Sequence, residues 1–210
     1  MTRIAIADDH AVVRRGVRQL ISEAEGLIVV GEAASADELL TLLRSRPVDV
    51  LILDLSLGVR SGIDVLKQVK SEFPRLAVVI LSMHAEDLFA VRALRAGASG
   101  YVEKEGTPEA LLVAIRRVAG GGTYVSADIA EKIAADLARG GAEVMPHERL
   151  SDREFEVFRL LGSGMSATEI AHTLNLSVKT VSTHRTRILA KTGLGNNADI
   201  VEYVIAHGLR

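Results

Sequence analysis

The run Val50-Leu51-Ile52-Leu53-Asp54 limits what this chain can fold into more than any other stretch. Four apolar residues follow Pro47-Val48-Asp49 and stop abruptly at an acid. The run is too short and too sharply punctuated for a buried helix, so it reads as a parallel strand covered on both faces. Open α/β sheets collect their ligands at the carboxyl ends of the strands. Asp54 is therefore delivered to the edge where chemistry takes place, and a carboxylate there is costly unless charge or hydrogen bonds meet it.

The same unit recurs along the first 120 residues. Residues 3–7 read as a strand ending in Asp8-Asp9, and helical spacing follows at Val12, Val13, Val17, Leu20 and Ile21. A second strand spans 27–31, and Ser35-Ala36-Asp37-Glu38 reads as a capping box for a helix through Leu39, Leu40, Leu42 and Leu43. After the Asp54 strand, Gly62 opens a helix carrying Ile63, Val65, Leu66 and Val69. A fourth strand, 76–81, ends in Ser82, and its helix (Leu88, Phe89, Val91, Leu94) is stopped by Gly97. A short fifth strand, 100–103, ends at Lys104, and Thr107-Pro108 supplies an N-cap and a proline for the first helical position. Five strand–helix alternations predict an α/β fold, a doubly wound sheet of flavodoxin-like type.

The remainder has a different period. Gly120-Gly121-Gly122 punctuates the chain, Ser126 is placed to cap a helix over 127–139, and Gly140-Gly141 and Pro146 follow. From Leu150 the pattern is all-helical, with capping boxes at Ser151–Glu154 and Ser166–Glu169, an N-cap at Ser177, and Asn175 where a turn needs a left-handed residue. Helix, helix, short turn, helix is the order of a helix-turn-helix unit, and a last helix is expected near 198–207.

The chemistry expected at the sheet edge follows from charge. Asp8 and Asp9 would lie beside Asp54, and three carboxylates within several ångströms repel strongly. A hard divalent cation relieves this, and Mg²⁺, which takes one or two carboxylates plus waters and phosphate oxygens, suits the set. Ser82 and Lys104 add a hydroxyl and an ammonium, completing what is needed to place a phosphoryl group on a carboxylate nucleophile. His84, two past Ser82, is placed where it could line the mouth of this site and affect how long a phosphoryl group survives, but an exposed loop histidine without a role is the stronger reading, and His10 is read in the same way.

These residues resemble the receiver domains of two-component response regulators: Asp8-Asp9, Asp54 followed by Gly62, Ser82, and Tyr101 three before Lys104. The resemblance implies that Asp54 accepts phosphate from a sensor histidine kinase. It implies direct Mg²⁺ ligation by Asp9, Asp54 and the Ser56 carbonyl, with Asp8 acting through water. It also makes Ser82 and Tyr101 the switch, Ser82 drawn to the phosphoryl group and Tyr101 turning inward. The chain departs from the pattern at Gly58 and Glu105, where such domains usually carry proline. The first loosens a loop, and the second leaves the isomer of the Lys104–Glu105 bond open.

The stretch 177–191 holds Lys179, Arg185, Arg187 and Lys191 and no acid. Val178, Val181, Ile188 and Leu189 are its expected buried stripe. Its other face, with Lys179, Ser182, Thr183, Thr186 and Arg187, suits the major groove. Residues 150–194 resemble the LuxR-type DNA-binding domain through Leu150-Ser151-Asp152-Arg153-Glu154, Glu169-Ile170-Ala171, Thr180-Val181 with His184, and Lys191-Thr192-Gly193-Leu194. That resemblance implies base-edge contacts from Ser182, Thr183 and Thr186 and phosphate contacts from Lys179, Thr180, Arg185 and Arg187. The final helix would dimerise through Ile200, Val201 and Val204 or pack them in the core.

Together the two modules imply a regulator of the NarL/FixJ class: a receiver over 1–120, a linker with one helix over 121–147, and a DNA-binding domain over 148–210. The expected partners are a histidine kinase, promoter DNA, RNA polymerase and, once phosphorylated, a second copy. Composition agrees. A net charge of −2 confines any polyanion surface to a local patch, and the lack of cysteine suits a reducing compartment. The N-terminus does not read as a signal peptide, and no run approaches the roughly 18 apolar residues of a membrane span, so a cytoplasmic protein is expected. Other readings are weaker. A phosphorylation-independent regulator rests on Gly58 and Glu105 alone. An Asp-nucleophile phosphatase would want an acid two residues after Asp54, where Ser56 stands. A ligand-sensing relative would want an aromatic pocket, and the chain has no tryptophan.

Overall fold

The computed structural model describes the chain apart from residues 56, 58–60, 83–86, 128, 132–133, 135–144 and 210 and the side chains of 87 and 88. It contains two compact units, Met1–Ala138 and Arg139–Arg210. In the first, β1 (Thr2–Ala7), β2 (Leu27–Ala33), β3 (Val50–Asp54), β4 (Ala77–Ser82) and β5 (Gly100–Glu103) alternate with α1 (Ala11–Ser22), α2 (Ala36–Ser45), α3 (Gly62–Glu72), α4 (Asp87–Arg95) and α5 (Pro108–Ala119). The strands form one parallel sheet in the order β2-β1-β3-β4-β5.

Side-chain alternation covers both faces. Ile4, Ile6, Val50, Ile52, Val79, Leu81 and Val102 pack with Val17 and Ile21 of α1 and with Leu111, Ala114, Ile115 and Val118 of α5. The alternate residues Ala5, Leu51, Leu53, Val78, Ile80 and Tyr101 are equally buried on the other side. β3 is buried at every position, as the uninterrupted apolar run requires. The register then fixes the site: Ala7 pairs with Leu53, Asp54 with Leu81, and Ser82 with Glu103. The polar ends of β1, β3, β4 and β5 therefore reach one edge together.

Local signals act largely as read. Thr107 and Ser177 accept backbone N–H bonds from Ala110 and Thr180, and Ser151 and Ser166 form full capping boxes. At Ser35 the pattern is altered: Ser35 caps Glu38, but the Glu38 carboxylate accepts from Ala34 N–H. Ser126 Oγ accepts from Ile129 N–H at 3.3 Å, starting the linker helix whose expected continuation lies outside the described residues. One connection was not foreseen. Tyr124 pairs with the outer edge of β5, accepting from Tyr101 N–H at 2.9 Å and donating to Ser99 O at 3.1 Å.

The second unit begins with a 3₁₀ turn, Pro146–Arg149, followed by α6 (Asp152–Gly162), α7 (Ala167–Thr173), α8 (Val178–Thr192) and α9 (Asn197–Ala206). Asn175, between α7 and α8, has φ 50°, the left-handed turn residue expected there. Phe155, Phe158, Ile170, Val181, Ile188, Ile200 and Val204 form a fully buried core. Ile200 and Val204 are therefore packing residues, and Val204 lies so close to Gly162 that a Cβ there would overlap it. Val178 departs from expectation at 45% exposed. It is the first residue of α8 and precedes the turn that packs, so Val181 takes the buried place and Leu189 is half-buried. Among the described residues no helix is long and apolar enough to cross a membrane.

Gly62 shows how tightly the edge loops are packed. Its N–H donates to Leu55 O at 2.9 Å, and a Cβ on it would overlap the Leu55 backbone. Gly62→Ala must push the chain that follows Asp54, and a loss of about 1–3 kcal/mol is expected, as for other overpacked sites. Urea unfolding of the two proteins measures it; an unchanged midpoint would contradict the close approach.

Candidate functional site

Four strand ends build the first site. Asp54 is 1% exposed at the end of β3 and Asp8 2% exposed after β1. Lys104, following β5, places its ammonium 2.8 Å from Asp54 Oδ2 and 2.7 Å from Asp8 Oδ2. Its backbone N–H donates to Ser82 O at 2.7 Å, which anchors it to β4. Burial alone would lower the Lys104 pKa, but its contacts with Asp54 and Asp8 outweigh burial and the pKa is raised. The cation thus stays charged and holds two buried carboxylates that would otherwise repel.

Asp9, exposed on the rim, and His10 complete the pocket. Asp8, Asp9, His10 and Asp54 each offer one ligand atom, all within 4.8 Å of one another. Asp8 Oδ2 is buried and, despite the nearby ammonium, accepts no hydrogen bond of good geometry. An oxygen-rich, net-negative donor set of this size fits a hard divalent cation. Arg14 braces the turn, its guanidinium donating to Asp8 O at 2.6 Å and lying 3.6 Å from Glu32. His10, read from the sequence as a loop histidine without a role, lies beside the acids: its backbone N–H donates to Asp8 Oδ1 at 2.7 Å and its Nδ1 lies 2.7 Å from Asp9 Oδ1.

Ser82 and Tyr101 are each 1% exposed and joined by a side-chain hydrogen bond. Burial pushes the Tyr101 phenol up to about 12 against the opposing effect of the Ser82 bond. Tyr101 is thus inward, and its backbone carries the Tyr124 linker. The Lys104–Glu105 bond is trans, since no described peptide bond is cis. Ser56, Gly58 and His84 lie outside the described residues.

The second site is the outer face of α8. Lys179, Ser182, Thr183, Thr186 and Arg187 are exposed, with Thr180 and Arg185 half-buried. The hydroxyls of Ser182, Thr183 and Thr186 donate to the carbonyls of Val178, Lys179 and Ser182, leaving their oxygens outward as acceptors. Thr180 Oγ1 lies 2.8 Å from Ser177 Oγ at the cap. Two cations are engaged elsewhere: Arg185 Nε donates to Asn197 Oδ1, and Lys191 bonds the buried Glu154 at 2.6 Å. His184 is half-buried. Burial, then the charges of Arg153 and Arg187, lower its pKa against Glu154, so its ring is neutral at neutral pH.

Comparison with known proteins agrees with this geometry. The response regulator receiver domain family matches residues 4–116, and the luxR family of bacterial regulatory proteins matches residues 148–204. The chain belongs to the NarL/FixJ class of two-component response regulators. It is 30% identical to the response regulator UvrY of Escherichia coli K12 over 209 residues, covering 100% of this chain and 96% of that one. It is 38% identical to the transcriptional regulatory protein UhpA of Salmonella typhimurium over 200 residues, 95% and 96% of the two chains. A solved structure of RcsB from Salmonella enterica serovar Typhimurium, bound to promoter rprA with the phosphomimetic BeF₃⁻, is also similar. It is 30% identical, covers 96% of this chain and 97% of that one, and gives a TM-score of 0.64. The chain is thus a response regulator with a LuxR-type DNA-binding domain, of a family whose receivers bind Mg²⁺ at an acidic pocket and act with a histidine kinase.

The raised Tyr101 phenol has a spectroscopic consequence. A folded-state pKa above the unfolded value of 10 means stability falls as pH climbs past 10, because only the unfolded chain ionises readily. In an ultraviolet titration of the folded protein one tyrosine should ionise near 12, and Tyr101→Phe should abolish that step. A titration that keeps the step in the variant would place the buried phenol elsewhere.

Proposed function

We propose that the chain is a transcriptional regulator switched by phosphorylation of Asp54. The observation that carries this reading is the buried Asp54 carboxylate, held by Lys104 at 2.8 Å on the edge where Asp8 and Asp9 converge. A carboxylate oxygen of Asp54 attacks the phosphorus of a kinase phosphohistidine. The N–P bond breaks, the imidazole departs with the electron pair, and an acyl phosphate remains on Asp54. Asp9, Asp54 and the Ser56 carbonyl would hold Mg²⁺, with Asp8 through water; when bound, the ion neutralises phosphoryl and carboxylate oxygens. Lys104 offers its ammonium to the new phosphoryl group, and Ser82 turns its hydroxyl towards it.

Residues 1–120 act as the receiver, 121–147 as the linker and 148–210 as the DNA-binding domain. The Ser82–Tyr101 pair is the switch. Its movement reaches the linker through the backbone bond from Tyr101 N–H to Tyr124 O. Phosphorylation then biases a pre-existing equilibrium towards a homodimer that binds promoter DNA and engages RNA polymerase. Ser182, Thr183 and Thr186 read base edges, while Lys179, Thr180, Arg185 and Arg187 hold phosphates. For Arg185 this requires release from Asn197. The regulator works in the cytoplasm.

Two experiments test this. Acetyl phosphate with Mg²⁺ should raise the intact mass of the wild type by one phosphoryl group and strengthen operator binding, and Asp54→Asn should abolish both. Full labelling of the variant would refute the assignment. On DNA, the three cationic phosphate contacts per subunit, Lys179, Arg185 and Arg187, give in a dimer a slope of log affinity against log salt of roughly −5, and Arg187→Ala lowers its magnitude by roughly 2. Thr183→Ala should leave the slope alone and relax preference at one base in each half-site. Operator titrations at several salt concentrations decide; a slope that moves with Thr183 and not Arg187 would invert the docked face.

A further inference from the structure

We infer that His10 is a nitrogen ligand of the cation in the acidic pocket and sets its preference for Mn²⁺ and later first-row divalent ions over Mg²⁺. The inference rests on the proposed use of that pocket as the cation site. His10 stands at the N-cap position of α1, yet its side chain makes no capping bond. The helix does not use the ring. The bond from His10 N–H to Asp8 Oδ1 instead turns the imidazole over the acids, with Nδ1 2.7 Å from Asp9 Oδ1, 3.3 Å from Asp8 Oδ1 and 4.0 Å from Asp54 Oδ2.

Those distances place the ring beside one cation. Ligand atoms ~2.1 Å from an octahedral ion lie about 3.0 Å apart when adjacent. Asp9 Oδ1 stands to Nδ1 at about that spacing, Asp8 Oδ1 lies close enough to act through a bound water, and Asp54 Oδ2 lies within reach of the same ion. Lys104 and the ring meet Asp8 through different oxygens, Oδ2 and Oδ1; at Asp54 both face Oδ2, the ammonium at 2.8 Å and the ring at 4.0 Å. The ring is also 62% exposed, so it is not held in place by core packing.

Chemistry sets the consequence. Carboxylates, a carbonyl and water suit Mg²⁺ and Mn²⁺ alike, while an imidazole adds affinity that rises along the first row from Mn²⁺ through Co²⁺ to Ni²⁺ and adds little for Mg²⁺. The rival role is a neutral Nδ1–H that hydrogen-bonds Asp9 and positions its carboxylate without touching the metal. The two roles separate in a measurement that sees nitrogen on the metal directly.

The full-length protein loaded with Mn²⁺ is examined by electron spin-echo envelope modulation, and Mn²⁺ and Mg²⁺ affinities are titrated in parallel. The wild type should show imidazole ¹⁴N coupling, and both His10→Ala and His10→Asn should lose it. The ratio of Mg²⁺ to Mn²⁺ dissociation constants should fall roughly tenfold or more in both variants, mostly through weaker Mn²⁺ binding. Mn²⁺ bound without ¹⁴N coupling, coupling that survives His10→Ala, or an unchanged ratio would each overturn the ligand role. Asp9→Ala separates the two levels of failure. If it does not weaken Mn²⁺ binding, the pocket is not the cation site, and the assignment of His10 falls with it. If it does weaken binding while His10 variants behave as wild type, the pocket stands and only the His10 role is lost.

Discussion

The buried charge balance at Lys104 is the constraint on which the receiver's edge depends. Two carboxylates a few ångströms apart repel by several kcal/mol, about 4 at 4 Å for an effective dielectric near 20. Asp54 and Asp8 are both almost fully buried, so solvent does little to relieve this. One ammonium between them does, at 2.7 and 2.8 Å. Asp9 adds a third carboxylate to the donor set, which carries more negative charge than the Lys104 ammonium alone offsets. A site that is stable yet net negative is ready for a cation and then for a phosphoryl group. Its stability and its reactivity come from the same imbalance.

The sheet makes that balance possible by register alone. Once Ala7 lies beside Leu53 and Asp54 beside Leu81, the residues one step further on must converge. This is why the sheet and its four polar strand ends were legible in the sequence: apolar runs with period two and sudden polar ends encode both strand and edge. His10 was not legible, because its role depends on which way a ring turns, and one backbone bond to Asp8 decides that. Tyr124 was hidden for a related reason. A single bridge to the edge of β5 has no periodicity to read.

In the helical unit the residue types were legible and their pairings were not. An acid-free stretch marks α8 as cationic, but Glu154, a capping-box residue of α6, lies far away in sequence and claims Lys191. Asn197, at the start of α9, claims Arg185. Of the four cations in the stretch, Lys179 and Arg187 therefore stand at the exposed face. Val178 was misread for a simpler reason: helical spacing assigns a face, but the first turn of a helix extends beyond the core that the face packs on. Asn175 shows the opposite case. A side chain suited to φ above zero marks its own place, and the turn follows.

Energetics limit how the switch acts across the chain. Turning a two-state equilibrium from about 1:99 to about 99:1 takes roughly 5.5 kcal/mol of differential stabilisation. One charge-assisted hydrogen bond from Ser82 to a phosphoryl oxygen supplies about 1.5–3 kcal/mol. Lys104 would add less that is new, because its ammonium already bonds Asp54 and lies 2.7 Å from the Asp8 carboxylate. On the proposed reading, phosphorylation alone would move such an equilibrium only part of the way. Association of two phosphorylated copies would add the rest by mass action, since anything that binds one state alone stabilises it by an amount that grows with the logarithm of concentration. In the proposed switch Tyr101 is the geometric link between the two contributions. Its side chain is bonded to Ser82 and its backbone N–H to Tyr124 O, so a local change at Ser82 would be felt at Tyr124.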